Sequence, residues 1–202
     1  MKKQNAISVR VSRTLPTGLV CLLLFSAVST AQDRNLIKKG NFWAKPGYFG
    51  MVTGFIGPGQ FRTDTITYET EAGFTFGFRF DFHLANHTYW GVSADVHRLH
   101  IRDTGQYLFD LSLNLKQVFF SVGSKVAFRP GVGLGYGYLA QFREYNSANF
   151  VLAKGGLEIL FFSTEAVAYT IEVDLLGSVW GSNRDSGFRY GPSLVGRVGL
   201  MF

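Results

Sequence analysis

The chain has 202 residues with 20 Lys and Arg against 14 Asp and Glu, and 16% of its residues are aromatic. Lys2, Lys3, Arg10 and Arg13 carry most of the basic excess, since the remaining chain has 16 bases and 14 acids. This balance excludes a nucleic-acid-binding class. The one cysteine, Cys21, lies in the same N-terminal stretch, which leaves the rest of the chain without disulfides or metal-thiolate sites.

Residues 1–31 have the pattern of a secretory signal peptide. A basic start is followed by the apolar run 18–28, which is too short to span a bilayer, and by small residues that end at Ala31. We predict cleavage near Ala31. Residues 32–46 are polar and lack a period, so they are interpreted as an N-terminal lead-in to a single domain at 47–202.

From residue 47 onward, apolar and polar residues alternate with the period of two that is typical of β-strands. The clearest case is the row Phe74, Phe76, Phe78, Phe80 and Phe82, which alternates with small and charged residues. The pattern predicts eight strands, in chain order 47–56, 73–83, 90–97, the two arms of a hairpin at 107–140, 150–162, 167–180 and 190–202.

The hairpin at 107–140 has a predicted turn at 121–124. Counting back from that turn places Leu113 opposite Val132, both on the apolar face. The predicted turn contains Gly and Ser, which are common in turns.

The predicted connections alternate in length. Those at 57–70, 103–106, 142–149 and 182–189 are the longer ones, and the others are short. No internal segment approaches the ~18 consecutive apolar residues of a membrane helix. Short turns at one end and longer loops at the other are typical of outer-membrane barrels.

Volume decides which face of the sheet looks outward. An eight-stranded barrel has an interior just wide enough for side chains, and roughly thirty large apolar residues would not fit inside it. The apolar face is therefore predicted to contact lipid, and the polar face to line a narrow lumen. We predict an all-β fold, an eight-stranded antiparallel up-and-down transmembrane β-barrel.

The predicted lumen face carries charges of both signs in equal numbers, counting Lys125 among the bases. Buried charges are tolerated when they are paired, so the balance favours a neutralised network over an ion-selective pore. Hairpin registers place Glu158 opposite Glu172, and Asp174 near Arg197. The predicted lumen charge network consists of Arg79, Asp81, Asp95, Asp110, Lys116, Arg129, Lys154, Glu158, Glu172, Asp174 and Arg197.

A resemblance rests on the signal peptide, the alternating strands, the Gly-rich segment FRPGVGLGYGYL and the final GPSLVGRVGLMF with its aromatic Phe202. Together they resemble the small outer-membrane β-barrel families of OmpA-like and OmpX-like proteins, over residues 47–202. The resemblance implies the outer membrane of a Gram-negative cell envelope, insertion by the barrel-assembly machinery and a monomeric, porin-like topology. It leaves the activity open, because this fold hosts structural proteins, adhesins, channels and enzymes.

The histidines are candidates for a metal or acid-base site. His83 and His97 share the lumen face with Asp81 and Asp95, but they are predicted to lie about three residue pairs apart. The outer-membrane lipid hydrolases of this shape use a His-x-Ser-Asn element near the C-terminus, and no His follows His100. We therefore predict no catalytic site, no metal and no cofactor.

Basic residues near the predicted outer rim suit the phosphates of lipopolysaccharide through charge-assisted pairing, and they equally suit simple loop solubility. The candidate contacts are Arg98, Arg102, Arg143 and Arg189. The expected partners are thus membrane lipid and lipopolysaccharide.

The predicted function is a structural or surface-interaction role for an outer-membrane barrel with a largely plugged polar lumen. The alternative is a narrow channel or transporter for small or hydrophobic solutes. It is motivated by a row of four glycines, Gly131, Gly133, Gly135 and Gly137, that leaves one wall of the lumen without side chains.

Overall fold

The computed structural model describes residues 47–63, 66–85, 87–101, 104–122, 125–140, 147–162, 167–182 and 187–202. The predicted signal peptide, its cleavage near Ala31 and the lead-in at 32–46 lie outside the described residues. Within the described ranges the regular elements are strands: β1 Gly47–Ile56, β2 Gly59–Thr63, β3 Thr67–Ala85, β4 Thr88–Ile101, β5 Thr104–Gln117, β6 Phe120–Val122, β7 Val126–Leu139, β8 Ala148–Phe162, β9 Ala168–Ser182, β10 Phe188–Tyr190 and β11 Ser193–Met201. No helix in the described part is long and apolar enough to cross a membrane.

The long strands form a closed antiparallel ring. In ring order these strands are β1, β3, β4, β5, β7, β8, β9 and β11, and β11 pairs back onto β1. The short strands extend their neighbours: β2 pairs with β3 and β10, and β6 pairs with β7. The predicted eight-stranded up-and-down barrel is confirmed. Its lower end is defined here by Tyr48 and Met201, and its upper end by β2 and β10.

The strands run further at the upper end than the sequence predicts. The predicted loop at 57–70 is largely a ladder of β2 with β3, and the predicted loop at 103–106 belongs mostly to β5. The prediction was wrong because the strand is interrupted at Gly57 and Pro58. Proline has no backbone N–H to donate to a ladder. Beyond this break the outward residues are polar, as at Arg62 and Glu69, so hydrophobic alternation no longer marks the strand.

The hairpin of β5 and β7 differs from the predicted register by two residues. Leu113 lies opposite Leu134 instead of Val132. The turn comes later than predicted, because β6 continues the arm until Val122 pairs with Val126. A shift of two residues leaves every side chain on its predicted face, since a strand alternates with period two.

The outward face carries a continuous apolar belt. Its exposed large side chains include Phe49, Met51, Phe55, Phe74, Phe76, Phe78, Phe80, Phe82, Trp90, Phe109, Leu111, Leu113, Leu115, Val132, Leu134, Leu157, Ile171, Val173, Leu175, Leu194 and Val198. Toward the lower end Trp90 stacks on Phe82 with ring centroids 4.9 Å apart. Toward the upper end Tyr107, Tyr138 and Trp180 are exposed. Aromatic rings that flank an apolar band are typical of transmembrane barrels.

Candidate functional site: the lumen of the barrel

Three layers of side chains fill the inward face, and the outer two are apolar. The lower apolar layer consists of Tyr48, Tyr89, Val118, Ala127, Leu160, Phe162, Ala168 and Met201. The upper apolar layer consists of Ile56, Phe61, Tyr68, Leu99, Ile101, Leu108, Leu139, Ala148, Phe150, Leu152, Leu176, Phe188, Tyr190 and Val195. The predicted lumen charge network lies between them and is called the charged layer below. Lys154 and Asp174 are partly exposed, and its other members are buried.

Arg129 anchors the lower part of the charged layer. Its Nε and Nη2 donate to Glu158 Oε2 at 2.9 and 2.6 Å, and Nη2 also donates to Asp81 Oδ2 at 2.6 Å. The guanidinium group lies over the rings of Tyr48 and Tyr89, at 5.4 and 5.1 Å from their centroids. Arginine suits this place because its planar group can stack on rings while it donates to carboxylates.

Arg79 and Arg197 share Glu172 in the upper part of the layer. Arg79 donates to Glu172 Oε2 at 2.8 Å and to Asp95 Oδ1 at 2.9 Å. Arg197 donates to Glu172 Oε2 at 2.9 Å and to Asp174 Oδ2 at 2.6 Å. The sequence placed Asp174 near Arg197, and the two are in direct contact.

Lys116 joins the two parts. Its Nζ lies 3.1 Å from both Asp81 Oδ2 and Glu158 Oε2, and 3.9 Å from Glu172 Oε1. The charged layer is therefore one connected network that reaches across the barrel. Such a network tolerates burial because each charge has an opposite charge beside it.

The glycine row of β7 lies against side chains from β5 and β8. A Cβ atom on Gly131 would lie 3.0 Å from Lys116 Cγ, and one on Gly137 would lie 2.6 Å from Leu152 Cδ1. Gly133 faces Asn114 and Lys154 Cε at similarly short range. The charged layer lines a cavity of about 30 Å³, which has room for a water molecule or two. The wall that lacks side chains is thus covered by the side chains of its neighbours.

The prediction of equal numbers of acids and bases in the lumen was wrong. Lys125 is exposed in the lower turn, because β7 begins only at Val126. The charged layer therefore contains Arg79, Lys116, Arg129, Lys154 and Arg197 against Asp81, Asp95, Asp110, Glu158, Glu172 and Asp174. Acids exceed bases by one in the described lumen.

The histidines do not converge. His83 packs on Tyr89 at the lower end, with ring centroids 5.2 Å apart, and His100 is on the outward face. His87 lies in the lower turn, where burial and the neighbouring His83 lower its pKa. His97 lies on the inward face of β4.

His97 does meet two acids, although His83 is not part of the group. Asp95, His97 and Asp110 have ligand-type atoms that all lie within 4.8 Å of one another. Sequence reasoning missed the contribution of Asp110. The register of β4 with β5 carries this signal, because it places Asp95 directly opposite Asp110.

The upper apolar layer was also missed, because the lumen was predicted to be polar throughout. Phe150 and Leu152 both point inward from β8, and Val151 between them points outward. Three consecutive apolar residues mark a strand that is apolar on both faces. Residues 150–152 show this run of three apolar residues in the sequence.

Two of the four predicted lipopolysaccharide contacts are on the outward face toward the upper end, and Arg102 and Arg143 lie outside the described residues. Arg98 is exposed and lies opposite Tyr107. Arg189 is exposed and lies directly opposite Arg62.

No protein-family model and no curated protein matches the chain. Among solved structures it is similar to Neisserial surface protein A, with a TM-score of 0.56 and 10% identity over 78% of this chain and 96% of that chain. OprG from Pseudomonas aeruginosa gives a TM-score of 0.46 and 16% identity over 78% and 97% of the two chains. Ail of Yersinia pestis gives a TM-score of 0.41 and 16% identity over 78% of this chain and 100% of that chain. The chain has the fold of the small outer-membrane eight-stranded β-barrels, as the resemblance in its sequence predicts.

Proposed function

We propose that the protein is an integral barrel of the bacterial outer membrane with a closed lumen and a structural or surface-interaction role, without catalysis. The observation that carries this proposal is the packing of the lumen. The charged layer lines a cavity of about 30 Å³ and lies between two apolar layers. Conduction needs a hydrated path along the axis, and an apolar constriction closes such a path by excluding water.

The apolar belt supports the membrane location. Leu113 and Leu134 lie opposite each other on the outward face and expose 63% and 62% of their surface. A contiguous apolar surface of this extent favours aggregation in water, and contact with lipid removes it from water. The closed ring of strands also pairs the backbone groups, which a lipid environment requires.

A vesicle experiment tests both parts of this proposal. The mature protein is folded into vesicles whose lipids carry bromine on the acyl chains, and tryptophan fluorescence is measured. Trp90 is on the outward face, so we expect strong quenching, and fluorescence equal to that in unbrominated vesicles would contradict the membrane location. Swelling of the same vesicles in small sugars tests the lumen: no swelling supports closure, and size-dependent swelling supports the narrow-channel alternative.

The surface role that we propose is contact with lipopolysaccharide phosphates through the upper rim. Arg62 and Arg189 are directly opposite each other on the outward face of β2 and β10. Within the described residues neither has an ion pair, and Arg62 donates only to the neutral side chain of Gln60, at 2.6 Å. Like charges opposite each other are destabilising, and an anion between them would reverse this effect. Arg98 is also exposed on the outward face, opposite Tyr107 and below this pair.

The lipopolysaccharide proposal is tested by stability in vesicles with and without lipopolysaccharide. We expect lipopolysaccharide to raise the urea midpoint of the wild type. The double variant Arg62→Gln and Arg189→Gln should lose most of that increase. Lys125→Gln, at the lower end, is the matched control and should keep it. Equal increases in all three proteins would contradict a specific role for the upper rim.

A further inference from the structure

We propose that Asp95, His97 and Asp110 form a metal site in the lumen, for a divalent transition metal such as Zn²⁺. Asp95 and His97 are two residues apart on β4, and Asp110 lies directly opposite Asp95 on β5. All three side chains point inward, and their residues expose 2%, 0% and 2% of their surface. Their ligand-type atoms lie within 4.8 Å of one another.

Four side-chain atoms of this cluster are buried without a hydrogen-bond partner among the described residues. These atoms are Nδ1 and Nε2 of His97, Oδ2 of Asp95 and Oδ2 of Asp110. A buried imidazole normally has at least one hydrogen bond, because leaving a buried polar group unsatisfied costs about 1–3 kcal/mol. Here two acids and a histidine converge, and the cations beside them lie at ion-pair distance from the two Oδ2 atoms, without hydrogen bonds to them.

The other oxygen of each carboxylate is held from outside the cluster. Arg79 Nη1 donates to Asp95 Oδ1 at 2.9 Å, and Ser112 Oγ donates to Asp110 Oδ1. Metal-binding carboxylates are commonly oriented in this way, with one oxygen on the metal and the other in a hydrogen bond to an outer residue. The arrangement therefore leaves one oxygen on each acid, Oδ2, without a hydrogen bond.

Neighbouring cations form ion pairs with the two acids but no hydrogen bonds to their Oδ2 atoms. Lys154 Nζ lies 3.6 Å from Asp95 Oδ2 and 3.5 Å from Asp110 Oδ2, and Arg197 Nη2 lies 3.6 Å from Asp95 Oδ2. These distances are long for charge-assisted hydrogen bonds, which are about 2.7–2.9 Å. Lys154 donates instead to Ser93 Oγ at 2.5 Å. The charged layer has one more acid than bases, so its net charge is −1 before a metal binds.

The donor set indicates the class of metal. One imidazole nitrogen and two carboxylate oxygens suit Zn²⁺ and similar transition metals, at bond lengths of about 2.0–2.2 Å. Ca²⁺ and Mg²⁺ prefer oxygen ligands throughout. Two ligands on β4 and one on the directly paired β5 hold the three Cα atoms in place, so side-chain rotation alone would close the remaining distances.

The position of the site dictates how the metal enters. The charged layer lies between two apolar layers, so the ion would be taken up while the barrel folds and would then exchange slowly. The experiment must therefore supply the metal during folding. Untagged mature protein is refolded from urea into detergent micelles with Zn²⁺, treated with a chelator and desalted, and its zinc content is measured.

We expect one zinc ion per chain to survive the chelator in the wild type. His97→Ala and Asp110→Asn should each lose it, because each removes a ligand. His100→Ala, on the outward face of the same strand, is the matched control and should retain it. Zinc that is absent from the wild type, or equally retained in His97→Ala, would overturn the site.

A second measurement does not depend on whether the variants fold. X-ray absorption at the zinc edge of the loaded wild type should show oxygen and nitrogen neighbours with the scattering of a single imidazole. Neighbours without imidazole scattering would place the ion elsewhere and would overturn the proposal.

Discussion

Glu158 and Glu172 lie directly opposite each other on β8 and β9, and each is held by a different arginine. Arg129 of β7 donates to Glu158 at 2.6 Å, and Arg79 of β3 donates to Glu172 at 2.8 Å. Like charges in opposite positions of a sheet are destabilising. The pair is stable here because cations from other strands reach it across the lumen, so the charged layer ties distant strands together.

Removing Arg197 should therefore destabilise the barrel. Arg197→Ala leaves Glu172 with fewer partners and Asp174 without the cation that contacts it at 2.6 Å. Breaking a buried pair from one side costs about 3–5 kcal/mol. We expect a clearly lower urea midpoint for the variant folded in vesicles. Lys125→Ala, exposed in the lower turn, is the control and should keep the wild-type midpoint; a midpoint unchanged by Arg197→Ala would contradict a buried network.

The glycine row should tolerate no methyl group where the neighbouring strand is close. A Cβ on Gly135 would lie 2.7 Å from the carbonyl oxygen of Leu111, and it would also meet Ser112 Oγ. We expect Gly135→Ala to destabilise the barrel by about 1–3 kcal/mol through overpacking.

Gly155→Ala on β8 is the matched control for that substitution. Its nearest atoms would be Gly131 O at 3.8 Å and Val132 Cγ1 at 3.9 Å. We expect a neutral or slightly stabilising effect, because alanine lowers the entropy of the unfolded chain. Equal urea midpoints for the two variants would show that the lumen is wider at Gly135 than the structure has it.

The apolar belt predicts a depth-dependent cost for an outward charge. Leu111 lies in the middle of β5, and we expect Leu111→Arg to destabilise the barrel in vesicles by about 2–4 kcal/mol. Leu84 is also outward and exposed but lies beside the lower turn, where the same change should cost only about 0–1 kcal/mol. Equal unfolding free energies for the two variants would argue against a lipid-facing belt.

Much of the fold could be predicted from the sequence, because one physical rule decides it. The row from Phe74 to Phe82 alternates strictly, and a barrel of eight strands has no room for it inside. The rule fails where the environment changes along a strand. Above the interruption at Pro58 the inward face is apolar and the outward face is polar. At Phe150 to Leu152 both faces are apolar.

The candidate site could be predicted only in part, because its contacts depend on register. The lumen side of each charge follows from alternation alone, and the eleven side chains of the charged layer lie on the inward face. The partner of each charge depends on turn lengths and on side-chain reach across the barrel. Asp110 was therefore not connected with His97, and Lys125 was placed in the lumen although the turn extends through it.

The claim that the lumen is closed is central, and single-channel recording tests it most directly. The purified protein, folded and inserted into a planar lipid bilayer in concentrated potassium chloride, is held at voltages of both signs. The packing of the charged layer between two apolar layers predicts a flat baseline without unitary current steps. Steady, reproducible unitary steps that scale with protein insertion would contradict the closed lumen.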